Sequence, residues 1–226
     1  MSDCILSVNR IGVTIGKGQA SARALSNVSL AFPVGVLSLV MGPSGSGKTT
    51  LLSVLGCLLR PQDGSVLVNG RDVTALTEDE RTRIRREQIG FIFQSFRLFK
   101  SLTAIENVML ALEIAGAEKQ HARSKAELLL ERLELSDKKH LRPDELSGGE
   151  KQKVAIARAL LREPKIILAD EPTASLDSQA GELITRILHD IAEEQLCTVV
   201  IVSHDERLRV FARNIIGLRD GKVVEG

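Results

Sequence analysis

Gly42-Pro43-Ser44-Gly45-Ser46-Gly47-Lys48-Thr49 is the segment that most restricts how this chain can fold. It matches the spacing G-x-x-x-x-G-K-[ST] and lies between two segments of different character. Before it runs Val36–Met41, a short and nearly all-apolar stretch suited to a strand covered on both faces. After it, Thr50–Leu59 reads as an apolar helix. A strand that turns through glycines into a helix lets successive backbone N–H groups curl around an anion, and the helix N-terminus adds partial positive charge. In that setting Lys48 reaches the β- and γ-phosphates of a nucleoside triphosphate, and the Thr49 hydroxyl binds Mg²⁺. Pro43, Ser44, Ser46 and Thr50 complete the phosphate-binding stretch. With glycine at about 7 % of residues in general, a chance match in a chain of this length is roughly a one per cent event.

The rest of the chain alternates in the same way, which predicts an α/β fold built on a mainly parallel sheet. Ile89–Phe93, Lys165–Ala169 and Thr198–Val202 are further short apolar runs. Two hairpins predict antiparallel pieces at the periphery. Val66–Val68 turns through Asn69-Gly70 into Arg71–Val73, and Ile215–Leu218 turns through Asp220-Gly221 into Lys222–Val224. From about 95 to 160 the pattern is helical. Thr103-x-x-Glu106 is a capping box opening a helix to about Ala115, and Ala126, Leu129, Leu130 and Leu133 form one buried stripe. No repeat or linker divides the chain. Residues 1–226 therefore read as one domain, with a peripheral antiparallel β subdomain and an inserted α-helical subdomain at about 95–160. The local basic cluster Arg81, Arg83, Arg85 and Arg86 reads as a solvated helix face balanced by Glu78, Glu80 and Glu87.

Composition removes several function classes. The 226 residues carry 30 Lys+Arg against 29 Asp+Glu, with no Trp, no Tyr and six Phe. A near-neutral chain this poor in rings is not built as a nucleic-acid reader with basic grooves and stacking platforms. The apolar stretch Val28–Met41 is broken by Pro33 and Gly35 and is too short to cross a bilayer. The start, Met1-Ser2-Asp3-Cys4, has no basic region followed by an apolar run, so no signal peptide is expected. Cys4, Cys57 and Cys197 are odd in number, scattered and without metal-ligand spacing, which suits a reducing compartment and a soluble cytosolic protein.

Other polar residues stand where strands end. Lys165–Ala169 runs into Asp170-Glu171. An acid there holds hydrated Mg²⁺, and a second acid beside the γ-phosphate polarises water for in-line attack, roles that suit Asp170 and Glu171 in turn. Gln94 follows Ile89–Phe93 and His204 follows Thr198–Ser203. Ligands of parallel α/β sheets bind outside the carboxyl ends of the strands, which puts Gln94 within reach of Mg²⁺ or the attacking water and His204 near the γ-phosphate. Residues that merely cap or pack a strand end occupy the same places. Leu146-Ser147-Gly148-Gly149-Glu150 precedes the helix Lys151–Leu161. Ser147 suits an N-cap, and the glycine pair suits a second close backbone approach to an anion.

Taken together these segments resemble the ATP-binding subunit of an ABC transporter over essentially the whole chain. The phosphate loop Gly42–Thr49, Gln94, Leu146–Glu150 continuing as Lys151–Leu160, Leu168–Glu171, Ala174-Ser175-Leu176-Asp177 and His204 stand in the family's order. Phe91–Gln94 and Ala169–Thr173 most resemble the branch that serves MacB-like, lipoprotein-releasing and DevA-type exporters. The resemblance implies an ATPase using ATP and Mg²⁺ that powers export of lipid, lipoprotein or peptide-like cargo. It also implies a homodimer that sandwiches two ATP molecules. Ser147, Gly148 and Gly149 of one subunit would contact the γ-phosphate held by Lys48 of the other, and Asp177 would join the two sites. Catalysis would rest on Glu171, His204, Gln94 and Lys48, and metal binding on Thr49, Gln94 and Asp170. Gln94 and Ser95–Phe99 would meet an integral membrane transporter subunit and, through it, a periplasmic adaptor. The protein would sit peripherally on the cytoplasmic face of the inner membrane, with no nucleic-acid partner.

A regulatory ATPase of the division machinery, acting on a membrane partner without transport, carries the same motifs. An ABC-type ATPase acting on nucleic acid or ribosomes would need insertions or a second cassette, for which 226 residues leave no room. A small-molecule kinase with this loop does not account for Ser147–Gly149. The sequence departs from the family at two places, mildly at Lys151-Gln152-Lys153, where Arg-Gln-Arg is common, and more tellingly in the adenine site. The aromatic residue that usually stacks on adenine is replaced by Ile15, so weaker adenine affinity and looser discrimination between ATP and GTP are expected.

Overall fold

The structure is a computed structural model that describes residues 4–16, 18, 21–195 and 197–224. In chain order its elements are β1 (Cys4–Ile15), β2 (Ala22–Pro33), β3 (Leu37–Met41), α1 (Lys48–Leu55), β4 (Asp63–Val68), β5 (Arg71–Asp72), α2 (Glu78–Gln88), β6 (Ile89–Phe93), α3 (Ala104–Glu113), α4 (Lys119–Arg132), α5 (Gly148–Leu160), β7 (Ile166–Asp170), α6 (Ser178–Gln195), β8 (Thr198–Ser203), β9 (Asn214–Arg219) and β10 (Lys222–Val224). Ser203 leads into a short 3₁₀ turn at Glu206–Phe211.

Two sheets form. The six-stranded sheet has the order β10-β9-β3-β8-β7-β6 and is parallel except for the edge strand β10. The four-stranded sheet, β2-β1-β4-β5, is antiparallel. Helices α3–α5 enter the chain between β6 and β7. This is the predicted α/β class with its inserted helices. The antiparallel sheet holds the first expected hairpin but is built largely from β1 and β2, for which no strands were expected. The second hairpin joins the edge of the six-stranded sheet.

Alternation along the central strands divides the interior into two cores. Leu37, Leu39 and Met41 of β3, Val199 and Ile201 of β8, and Ile167 and Ala169 of β7 face α3–α6. Val40, Val200, Val202, Ile166 and Leu168 face the other way, onto α1 and the antiparallel sheet. Successive residues of a strand point to opposite faces, so a strand that is apolar throughout must be covered on both sides. β3 and β8 are buried along their whole lengths. Ala126, Leu130 and Leu133 join the helical core with Leu129 partly buried against it, whereas Leu128 is exposed.

Local chemistry sets the ends of the elements. Asn69 and Gly70 both have positive φ (51° and 75°), as do Asp220 and Gly221 (49° and 72°), and both predicted hairpins form. Thr103 and Glu106 make the predicted capping box at the start of α3. Three expectations are corrected. The helix after the glycine loop begins at Lys48 rather than Thr50 and ends at Leu55, with Gly56 as its cap, rather than at Leu59. The helix after Ser147 begins at Gly148 rather than Lys151, because a capping box tolerates two glycines in its first turn. The basic face of α2 is not simply solvated, since Arg81 is buried. Arg81 and Arg85 each donate to the Cys57 carbonyl at 2.6 Å while pairing with Glu78. Cys57 has φ 56°, and its turned-out carbonyl needs those donors.

Candidate functional site

Strand register builds the site. Met41 lies opposite Ser203, Asp170 opposite Val202, and Phe93 opposite Asp170. The residues that follow these strands, Gly42, His204, Glu171 and Gln94, therefore emerge along one edge of the parallel sheet. A cavity of about 720 Å³ opens there, lined by Ile15, Ala24, Pro43, Ser44, Gly45, Gly47, Lys48, Thr49, Thr50, Gln94, Asp170, Glu171 and His204. All but Ala24 were legible in the sequence. Ala24 lies on β2, and no motif marks it.

Gly42 and Ser46 belong to the loop but do not line this cavity; they are where the loop rests on the fold. A Cβ on Gly42 would fall 2.0 Å from the Leu218 carbonyl, and one on Gly47, at φ 103°, would fall 2.5 Å from the Ala24 carbonyl. The Gly221 amide donates to the Ser46 carbonyl, so the β9–β10 hairpin also braces the loop. The Ser46 hydroxyl is buried without a hydrogen-bond partner.

Helix α1 begins without a side-chain cap and without an acidic residue in its first turn. Its leading N–H groups have no intrahelical acceptors and point at the cavity, which is the arrangement that binds phosphate. Lys48 is buried and donates to its own loop, to the Gly42 carbonyl at 2.8 Å and the Pro43 carbonyl at 3.0 Å. Its charge is thus held over the loop, available to exchange carbonyls for phosphate oxygens.

Across the cavity the Thr49 hydroxyl donates to Asp170 Oδ1 at 3.2 Å. Burial pushes the Asp170 carboxyl above its usual range, opposed chiefly by that hydrogen bond. A desolvated carboxylate beside a hydroxyl, with Gln94 on the same wall, is an all-oxygen donor set that fits Mg²⁺. Among the described residues no group of three His, Cys, Asp or Glu could hold a metal by itself. Such an ion would draw further ligands from phosphate and water, as Mg²⁺ at nucleotide sites does.

Glu171 has φ 47°, and both of its carboxylate oxygens are engaged. Ser203 Oγ donates to Oε2 at 2.8 Å, and His204 Nδ1 lies 2.8 Å from Oε1. Ser203, fully buried at the end of β8, was not singled out in the sequence. Its one signal is its place immediately before His204.

Ser147, Gly148, Gly149 and Asp177 lie outside the cavity. Ser147 Oγ accepts from the Glu150 amide at 3.3 Å, while the Ser147 amide donates to Glu150 at 2.8 Å. The glycine pair has a reason within the chain itself. A Cβ at Gly148 would sit 3.2 Å from Leu176 Cδ2, and one at Gly149 3.3 Å from Ala180 Cβ. Asp177 Oδ1 accepts from the Ala180 amide at 2.9 Å and caps α6. Gln94 is tied to the same stretch, because the Ser175 hydroxyl donates to its carbonyl at 3.3 Å. Beyond Gln94, Phe96 and Arg97 have φ 59° and 48°, and Arg158 of α5 donates to both of their carbonyls.

A parallel α/β sheet with a glycine loop, a strand-end Asp-Glu pair and a facing His along one edge defines a phosphate-loop nucleotide hydrolase. Residues 25–174 match the ABC transporter family, and the chain belongs to it. It is 46 % identical over 210 residues to the ABC transporter ATP-binding protein MJ1508 of Methanocaldococcus jannaschii, covering 93 % of each chain. It is 41 % identical over 220 residues to the macrolide export ATP-binding/permease protein MacB of Escherichia coli, covering 97 % of this chain but 34 % of MacB. Among solved structures, a dimer of the ATP-binding cassette MJ0796 in a post-hydrolysis state with ADP and Pi superposes with a TM-score of 0.89. That pair is 42 % identical over 97 % of each chain. The protein is an ATPase and an ATP-binding subunit of the ABC transporter type. No helix among the described residues is long and apolar enough to cross a membrane.

Proposed function

We propose that this chain is the ATP-hydrolysing subunit of an exporter. It works as an ATP-bound homodimer on the cytoplasmic face of the inner membrane against an integral membrane subunit, and its cargo is lipid, lipoprotein or peptide-like. The observation that carries the reading is the single strand edge that gathers Lys48, Thr49, Gln94, Asp170, Glu171 and His204 around one cavity. The exporter assignment rests on the likeness to MacB, whose remaining length lies outside the match. The membrane subunit would bind at Gln94–Phe99, and a periplasmic adaptor would join through it.

In this reading the α1 amides and Lys48 hold the β- and γ-phosphates, and Thr49, Gln94 and Asp170 hold Mg²⁺. The ion, when bound, neutralises charge building up on the phosphate oxygens. Glu171 orients the attacking water and takes its proton. His204 leaves Glu171 Oε1 and turns to the γ-phosphate, which frees the carboxylate for water. Ser147, Gly148 and Gly149 close the site of the opposite subunit, and Asp177 lies at the junction between the two sites. The closed dimer is stabilised by γ-phosphate contacts that vanish on hydrolysis, and this difference in binding drives the partner between conformations.

Glu171→Gln is the test. Turnover should fall by at least about a hundredfold, as expected when a positioned proton acceptor is removed. With ATP the variant should accumulate as a dimer in gel filtration. Hydrolysis at the wild-type rate would remove Glu171 from the mechanism. Detergent extraction of membranes under the same trapping conditions should recover the membrane subunit, and recovery of the cassette alone would defeat the transporter reading.

A further inference from the structure

Three ties lay the chain after His204 along α6. Near the start of the helix, Arg207 Nη1 donates to Ser178 Oγ at 2.8 Å. In its middle, His189 Nδ1 meets the Phe211 carbonyl at 3.0 Å. Further along, Arg213 pairs with Glu193. The segment 205–213 is therefore fastened to α6 at three points along the helix. The first tie is the one next to the site, and it continues inward. The Arg207 guanidinium grips Asp205 with a two-pronged fork, Nε to Oδ1 at 2.9 Å and Nη2 to Oδ2 at 2.7 Å. Asp205 Oδ1 also accepts from the Arg207 amide at 3.0 Å, and the Asp205 amide donates to Ser203 Oγ at 3.2 Å. Ser203 Oγ in turn donates to Glu171 Oε2. An unbroken polar chain thus runs from Glu171 through Ser203, Asp205 and Arg207 to Ser178, the residue after Asp177.

We propose that Arg207 is a positioning residue that ties the turn holding Glu171 and His204 to the start of α6, so that a displacement at Asp177 is felt at the site of hydrolysis. The proposal rests on the roles given above to Glu171, His204 and Asp177. As an ion pair the Arg207–Asp205 fork adds little to stability, because Arg207 is more than half exposed (57 %). Its geometry is what matters. Asp205 alone could cap its own turn, but only the third prong, to Ser178, crosses to another element. Without that prong the apolar contact of Leu208 with the α6 core remains, but the His204 turn loses its polar link to the start of α6, the end nearest the cavity. The distal ties at Phe211 and Arg213 remain and keep the segment folded. Small misplacements of catalytic groups are costly in rate, so a loosened His204 turn should show in turnover rather than in ATP binding.

The experiment compares steady-state ATPase kinetics of Arg207→Ala, Ser178→Ala, the double variant and Ser178→Thr. Arg207→Ala should lower kcat about five- to tenfold with the KM for ATP changed less than about twofold. Ser178→Ala should lower kcat about threefold or more, and the double variant should be no slower than Arg207→Ala, because both remove one chain. Ser178→Thr keeps the hydroxyl and should keep the wild-type kcat. Wild-type kcat in Ser178→Ala, or independent losses that multiply in the double variant, would overturn the proposal. A purely structural brace would lower Tm without touching the kcat of the folded fraction. If Arg207→Ala does not fold, the Ser178→Ala and Ser178→Thr pair decides alone. Ser178→Ala turning over like wild type while Glu171→Gln still traps an ATP-bound dimer defeats this inference only. Failure of Glu171→Gln to form that dimer defeats the function proposed above.

Discussion

Ile15 borders the cavity with one side half open to solvent, at 49 % exposure, beside Ala24. A flat ring at that position offers a π-face to a purine, whereas a branched aliphatic chain offers only area. Base–aromatic stacking contributes about 1–3 kcal/mol, so Ile15→Tyr should tighten ATP binding about fivefold or more. Titrating ATP and GTP against both proteins also tests base preference, and unchanged affinities would show that the base does not lie against residue 15. The cysteines give a second prediction at this scale. Burial raises the Cys57 thiol above its usual range and pushes Cys197 up to about 12. The thiolate is the reactive form, so both should resist alkylation at pH 8 in the folded protein and react once it is unfolded. Cys4 is exposed and should react in the native state, which peptide mass mapping would read. Most of the residues that line the cavity were legible because the motifs they belong to admit few residue types. Ser203 and Ala24 were not, since a strand-end serine and a small apolar residue carry no chemical signature without neighbours.

Helices α2, α3 and α5 each start with a capping box, while α1 starts with none. The caps contribute stability; α1 and α4 both start without a side-chain cap, and of the two α1 is the one whose first residues line the cavity. Thr103→Ala should therefore lower unfolding free energy by about 1 kcal/mol without altering turnover, as urea titration alongside an ATPase assay would show. Leu130 is fully buried in the helical core. Leu130→Ala should cost about 2–5 kcal/mol through lost transfer and a residual cavity, read in the same titration. β1, β2 and α6 were not read from the sequence, whereas β3, β6, β7, β8, both hairpins, α1, α3 and α5 were, from apolar runs, periodicity and turn residues. Exact ends could not be read, because Gly148 and Gly149 are poor helix residues that a cap overrides. The burial of Arg81 was equally hidden. Its partner, the Cys57 carbonyl, lies 24 residues away, and a left-handed φ turns that carbonyl toward it.

At the scale of the whole molecule, Ser147, Gly148, Gly149 and Asp177 stand outside the cavity that holds the phosphate loop. If they complete the site of a second subunit, two defective chains can repair each other. Lys48→Ala and Gly149→Asp, mixed in a Glu171→Gln background, should form a heterodimer with one intact composite site and trap about one ATP per dimer. Each variant alone should trap none. Filter binding with labelled ATP distinguishes this from a site built within one chain, for which mixing restores nothing.

The sequence by itself determined the class of fold, the glycine loop, the pair of acids that ends a strand and the order of the motifs. Each of these depends on local spacing and on residue chemistry that few alternatives satisfy. Only the tertiary structure decided that Gly42, Gln94, Glu171 and His204 leave neighbouring strands along one edge, because strand order and register are set by the packing of two cores. It also decided that Glu171 is held by Ser203 and linked through Arg207 to α6. Those contacts join residues up to 32 positions apart, and no local pattern can specify a hydrogen bond at that distance.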